Sequence, residues 1–208
     1  MSLTSLARKF FMALTGLFLI IFLIVHLTVN LLTLCSDPEL FNAASHFMAT
    51  NLLIQIMQYV LALGFVVHIG MGIALTLQNN SARPVKYAFN RPGENSSVAS
   101  RSMIYTGLLV FVFLLIHLYN YFYKMKFVGV HDDYTLVVKS FDDPLFTLVY
   151  VTAFILLGFH LNHGFQSAFQ SLGATHRVYT PWIKKVGVIY SVVMAAGFCL
   201  IAIYHFLF

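Results

Sequence analysis

Five runs of this sequence, residues 10–34, 52–77, 103–123, 145–169 and 186–208, are long and apolar and contain no Asp or Glu. Crossing the hydrocarbon of a bilayer takes about 20 largely apolar residues as an α-helix, and each run is long enough. The rest of the chain leaves little room for another fold. Hydrophobic residues make up 60% of the 208 and charged residues 9%, against about 25% charged in a soluble domain. With so few charges the chain cannot clothe a water-facing surface, so lipid is its main solvent. The expected fold is an all-α integral membrane protein, one transmembrane domain over 1–208 with five helices in a bundle. The first run is longer than the roughly 7–15 residue core of a signal peptide and has no small-residue cleavage site, so it is expected to be retained. No internal repeat is evident by eye.

The charges between the runs set an orientation. Arg8, Lys9, Arg83, Lys86, Arg91, Arg101, Arg177, Lys184 and Lys185 lie before the first run or after the second and fourth, with one acid, Glu94. The other two connections hold Lys124, Lys126 and Lys139 among Asp37, Glu39, Asp132, Asp133, Asp142 and Asp143. Basic residues are retained on the cytoplasmic side, which places the amino terminus inside and the carboxy terminus outside. The net charge of +5 is thus a topology signal, and no nucleic-acid partner is expected. Tyr119, Tyr121, Tyr123, Tyr179 and Trp182 fall at predicted borders, where amphipathic rings favour the interface. Asp143-Pro144 and Asp37-Pro38 read as helix starts. The second opens a short interfacial helix with Leu40, Phe41, Ala44, Phe47 and Met48 on its apolar stripe.

Nine histidines are present, and His26, His68, His117 and His160 lie deep in four successive runs, with His163 one turn beyond His160. An ionisable group in hydrocarbon is costly and marks a functional site by default; the plain alternative is an interhelical hydrogen bond. Depth sorts the four. His26 and His117 lie roughly 24 and 21 Å from the inner edge at 1.5 Å per residue. His68 and His160, on helices that begin outside, lie roughly 6–8 Å from that edge. Antiparallel threading therefore pairs His26 with His117 at an outer level and His68 with His160 at an inner one. Two imidazoles at one depth on different helices are what a six-coordinate haem iron needs, so two b haems stacked along the membrane normal are expected. Gly64, Gly70 and Gly72 near His68, and Gly158 and Gly164 near His160, are expected to open space, although small residues also serve ordinary helix packing.

Other chemistries fit less well. Zinc asks for about four ligands converging at one place, whereas these histidines separate into two levels. The lack of acids within the runs counts against a proton-driven transporter. Cys35 and Cys199 lie too far apart for a CxxC motif.

Against that background, three stretches resemble the single-chain, dihaem cytochrome b anchor of succinate:quinone oxidoreductases and fumarate reductases. They are Met12-Ala13-Leu14-Thr15-Gly16 leading to His26, Asn95-Ser96-Ser97-Val98-Ala99-Ser100-Arg101 opening the third run, and His160-Leu161-Asn162-His163-Gly164-Phe165-Gln166-Ser167. The spacings between the four histidines, 42, 49 and 43 residues, are similar to that family's. In the family the ligand stands four residues before a glycine, which implies His160 in preference to His163. The resemblance also implies an iron–sulfur subunit and a flavoprotein subunit on the cytoplasmic face, a prokaryotic cytoplasmic membrane, and a quinone substrate, menaquinone before others. This chain's share would be quinone chemistry and electron relay. A dihaem cytochrome b of another quinone-linked dehydrogenase, and a haem-free scaffold or transporter, remain as alternatives.

Arg101 is a candidate partner for a haem propionate, or a positive-inside anchor. Glu39 and His46, with Asn42, are candidates for a quinone pocket, which needs apolar walls and a few proton-delivering groups; a plain surface helix is the alternative. His131, His176 and His205 read as solvated loop or terminal residues, and segments 78–100 and 171–185 as faces for soluble subunits.

Overall fold

The computed structural model describes residues 4–81, 98–130 and 132–208. The turn-forming run 90–95, Asn95, Ser96 and Ser97 of the second motif, Arg83, Lys86, Arg91, Glu94 and His131 lie outside the described residues.

All regular structure among the described residues is helical. Helix α1 (Ser5–Leu31) starts where the Thr4 hydroxyl accepts from the Ala7 amide, and it ends in a 3-10 turn, Leu32–Leu34. The short helix α2 (Pro38–Thr50) is capped by Asp37, as its Asp-Pro pair predicts. Helix α3 (Leu52–Ser81) returns through the bundle. Helix α4 (Val98–His117) runs on as a π-helix over Leu118–Val128, which ends at Gly129 with φ 76°. The left-handed conformation at a helix C-cap suits glycine, which has no Cβ to clash. Helix α5 (Asp133–Ser140) was not foreseen, though Asp132 caps it by accepting from the Thr135 amide at 3.0 Å. Helix α6 (Pro144–Ser171) opens on Asp143, whose carboxylate accepts from the Leu145 and Phe146 amides at 2.8 and 3.0 Å. Helix α7 (Thr180–Leu207) completes the chain and begins earlier than its apolar run, because Thr180-Pro181 starts it in the polar segment.

Five of these helices, α1, α3, α4 with its π extension, α6 and α7, are long and apolar enough to cross a membrane. Their outward faces carry large apolar side chains such as Leu63, Val66, Leu108 and Val192. In water each would forfeit about 25 cal/mol per Å² of apolar surface; against lipid tails that penalty vanishes. α1 packs on α3, α6 and α7, while α6 packs on α4 and most extensively on α7. The best-buried ridge lies between α6 and α7: Tyr150, Phe154, Met194, Phe198, Ile201 and Ala202.

Two expectations fail here. Tyr121 is buried at 8% exposure, unlike Tyr119 at 64% and Tyr123 at 47%. It follows His117 inside the π-helix, whose wider turn changes which side chains share a face, so Tyr121 turns into the bundle. His205 is buried as well. Its Nε2 lies 3.0 Å from the Thr33 hydroxyl, which itself donates to the Asn30 carbonyl at 2.8 Å. The imidazole Nε2–H is therefore the donor to Thr33. The last turn of α7 folds against the 3-10 turn that ends α1, and that contact takes His205 out of solvent. His176, in contrast, is exposed as expected.

Candidate functional site

The four deep histidines meet in two pairs. The rings of His26 on α1 and His117 at the end of α4 lie 5.7 Å apart centre to centre and are nearly perpendicular, at 85°. Those of His68 on α3 and His160 on α6 lie 6.5 Å apart at 78°. Neither α1 with α4 nor α3 with α6 is among the main side-by-side helix contacts of the described residues, so the imidazoles reach across the bundle. Among the described residues no three His, Cys, Asp or Glu side chains converge as a metal cage. The imidazoles meet as twos.

The donor set fits a bis-imidazole haem. A metal–imidazole bond is about 2.0–2.1 Å and the ring centre lies about 1.2 Å behind the bonded nitrogen, so two imidazoles on opposite sides of one metal stand about 6.4 Å apart. The His68–His160 separation of 6.5 Å matches, and the 5.7 Å of His26–His117 needs only a small opening. Nδ1 of His117 and Nδ1 of His160 are buried without a hydrogen-bond partner. A buried polar atom left unsatisfied costs about 1–3 kcal/mol, so neither ring is held in place by a hydrogen bond from that nitrogen.

Aromatic side chains wall the first pair. Phe22 stacks on His26 at 5.3 Å, and Phe198 lies 5.9 Å from it. Phe113, Tyr121 and Tyr150 surround His117 at 5.8, 5.2 and 6.2 Å. The Tyr150 hydroxyl accepts from the Asn120 amide at 3.2 Å, while the buried Tyr121 hydroxyl makes no hydrogen bond. Tyr121 was expected at the membrane border, and Tyr150 and Asn120 were not singled out from the sequence; all three are polar groups close to the first pair. Glu39 and His46 sit on exposed positions of α2. That helix is held to α5 by Asn42, whose amide donates to Asp132 at 3.2 Å and whose oxygen accepts from the Tyr134 amide at 2.9 Å, and by Ser45 donating to Asp133. Arg101 is exposed on α4, and His163 is half-buried one turn from His160.

The second pair is approached by glycines, but not the expected ones. A Cβ on Gly16 would stand 3.3 Å from His68 Cε1, and a Cβ on Gly107 would stand 3.3 Å from His160 Cε1. The expected five do something else. Gly64 accommodates Phe18, Gly72 accommodates Met12, Gly158 accommodates Ala195 and Gly164 accommodates Met103, while Gly70 faces open space. A glycine on a histidine's own helix cannot relieve that histidine's ring; the relief must come from the facing helix.

A signal for Gly16 and Gly107 was in the sequence. Met12-x-x-Thr15-Gly16-Leu17, followed by Phe22-x-x-x-His26, recurs as Met103-x-x-Thr106-Gly107-Leu108, followed by Phe113-x-x-x-His117. His68 and His160 each stand four residues before a glycine, Gly72 and Gly164. The structure repeats with the sequence: Met12 Cε would lie 3.5 Å from a Cβ on Gly72, and Met103 Cε 3.6 Å from one on Gly164. The α1–α3 hairpin and the α4–α6 hairpin are two copies of one unit, with α7 added, and each histidine pair joins equivalent residues. This corrects the expectation of no internal repeat; the identities are too sparse to stand out among so many interchangeable apolar residues.

Fold and site together define a multi-pass helical membrane protein with paired histidines inside its bundle. Residues 79–195, more than half of the chain, match the succinate dehydrogenase/fumarate reductase transmembrane subunit family. The chain belongs to that family. The matched range includes His117 and His160, and leaves His26 and His68 in the other copy of the hairpin. No curated protein and no solved structure matches the chain.

Proposed function

We propose that this membrane subunit of a succinate dehydrogenase or fumarate reductase holds two b haems, ligated by His26 with His117 and by His68 with His160. It relays electrons between an iron–sulfur subunit and a quinone. The observation that carries the reading is the separation of the two imidazole pairs, 5.7 and 6.5 Å, close to the span of a bis-imidazole metal. The two levels are about 15 Å apart, since His26 is ten residues beyond Gly16, which faces His68. Bound at these levels, haem supplies one-electron transfer along the membrane normal.

The chain's own residues do the rest. His26 with His117, and His68 with His160, would hold the two haems, and two imidazoles on each iron would favour electron transfer over oxygen chemistry. Phe22, Phe113, Phe154 and Phe198 keep water from the first pair, and a low dielectric strengthens every charge interaction there. The excess of Arg and Lys at one end supports an amino terminus in the cytoplasm. The His68–His160 pair is then the inner one, nearest to the iron–sulfur and flavoprotein subunits. Arg101, on the same side, is suited to a haem propionate by its forked donors. Menaquinone is the quinone that family resemblance favours, and a prokaryotic cytoplasmic membrane the location. Glu39 and His46 remain candidates for proton delivery at the quinone.

The test is a pyridine haemochrome assay on the purified complex, with dithionite-reduced minus oxidised spectra. Two b haems per chain are expected, reducible by succinate when the flavoprotein and iron–sulfur subunits copurify. His26→Ala and His117→Ala should each remove the same haem and spare the other. A chain that purifies folded and haem-free refutes the proposal.

A further inference from the structure

The repeated Thr-Gly step lies on the two helices that carry His26 and His117, yet it faces the other two histidines. Thr15 Oγ1 is 3.4 Å from His68 Nδ1. That hydroxyl also donates to the Phe11 carbonyl at 2.8 Å, so its lone pairs are what it offers the ring, and Nδ1 must carry the proton. With Nδ1 protonated, the lone pair of His68 resides on Nε2, free for a metal. The neighbouring Gly16 lets the ring come this close, because a Cβ there would stand 3.3 Å from Cε1 and 3.6 Å from Nδ1. The second copy repeats the close glycine but not the hydrogen bond. A Cβ on Gly107 would be 3.3 Å from His160 Cε1 and 3.7 Å from Nδ1, and the Thr106 hydroxyl donates to the Met103 carbonyl at 3.1 Å, while His160 Nδ1 is buried with no hydrogen-bond partner, Thr106 included.

We infer that Thr15-Gly16 and Thr106-Gly107 are paired positioning elements for the haem held by His68 and His160. The glycines admit both rings, the Thr15 oxygen takes the Nδ1 proton of His68, and the Thr106 oxygen would take that of His160, whose Nδ1 has no acceptor of its own, once a metal draws on both Nε2 atoms. This rests on the dihaem reading above. A hydrogen bond from the far nitrogen fixes the tautomer of a ligating imidazole and raises its basicity, and a more basic ligand favours the ferric state. The elements sit on α1 and α4 and serve ligands on α3 and α6, so their effect is on the opposite haem from the one their own helices ligate.

The experiment uses the whole complex and potentiometric titration of its haems, each haem identified by the signal lost in His26→Ala or in His68→Ala. Thr15→Val and Thr106→Val keep shape and remove the hydroxyl, with its accepting role toward the ring and its donation to the helix's own carbonyls. Each should shift the midpoint potential of the His68/His160 haem upward, the two together by more than either, with the other haem unmoved. Gly16→Ala and Gly107→Ala should lower occupancy of that same haem. Gly70→Ala, beside His68 in sequence but facing open space, should leave both haems unchanged. Unshifted potentials in both threonine variants, a shift confined to the His26/His117 haem, or a Gly70→Ala loss equal to that of Gly16→Ala would overturn the inference. Absence of haem from the unsubstituted complex would refute the dihaem reading itself. If a glycine variant loses both haems through misfolding, the isosteric threonine variants decide.

Discussion

Replacing Gly158 by alanine sets two well-defined effects against each other at a tight contact between α6 and α7. The added Cβ would stand 2.9 Å from Ala195 Cβ and 3.5 Å from the Ser191 carbonyl oxygen. Neither neighbour has a side chain that can rotate away, so the two helices must separate by about 0.5–1 Å to restore ordinary contact, and overpacking of this kind costs about 1–3 kcal/mol. Alanine in place of glycine in a helix returns about 1 kcal/mol, which leaves a net loss of about 0–2 kcal/mol. The sharper measurement is the double-mutant cycle. Ala195→Gly alone loses helix propensity and packing, but combined with Gly158→Ala it moves the methyl across the interface and relieves the clash. A coupling of at least about 1 kcal/mol is expected, within the usual range for residues in contact. Reversible unfolding of the purified protein in mixed detergent micelles reads all four corners. Additive single effects, or a Gly158→Ala variant more stable than the parent by the full helix-propensity gain, would mean that α6 and α7 do not approach this closely.

Three further outcomes follow from the fold. His205→Phe removes the Nε2–H donor to Thr33, and its loss should cost about 1 kcal/mol in the same assay; an unchanged stability would mean that the bond is absent. Gly129→Ala puts a Cβ on a residue with φ 76° and nothing within 4 Å of it, so the cost is conformational alone, about 1–2 kcal/mol, and Gly129→Asn should cost less. The Asp132 carboxyl is held below its ordinary value of 3.8 by the Thr135 hydroxyl, then by the Thr135 amide and Asn42. A depressed folded value means that its stabilisation is present above the ordinary value and is lost as pH falls through the folded one. The protection factor of the Tyr134 amide, which donates to Asn42, should therefore fall at acid pH in the parent but show no such fall in Asp132→Asn.

The five helices and the level of each histidine were legible because both follow from apolar run length and a fixed rise per residue. Helix direction alternates, so His26 and His117 fall at one depth and His68 and His160 at the other, and the rings meet in those pairs. What escaped was rotational. Tyr121 reads as an interface residue beside Tyr119 and Tyr123, and only the π-helical register turns it inward. His205 reads as a frayed terminus because nothing in its neighbourhood announces Thr33, 172 residues away. The glycines were sought on the same helices as His68 and His160, where sequence proximity is visible, while the groups that would meet those two rings are Gly16 and Gly107 on the facing helices. In a sequence that is 60% hydrophobic, almost any helix face can pass for a buried one, so azimuth is the quantity that pattern alone conveys least.

The duplicated hairpin gangs the two levels mechanically. α1 is a stiff rod that carries His26 near one end and leans Gly16 on His68 partway down; α4 does the same with His117 and Gly107. A slide or twist of either rod, imposed by whatever grips the end nearer its Thr-Gly step, would reach both histidine pairs at once, and neither pair can be shifted by moving one of these helices without disturbing the other about 15 Å away.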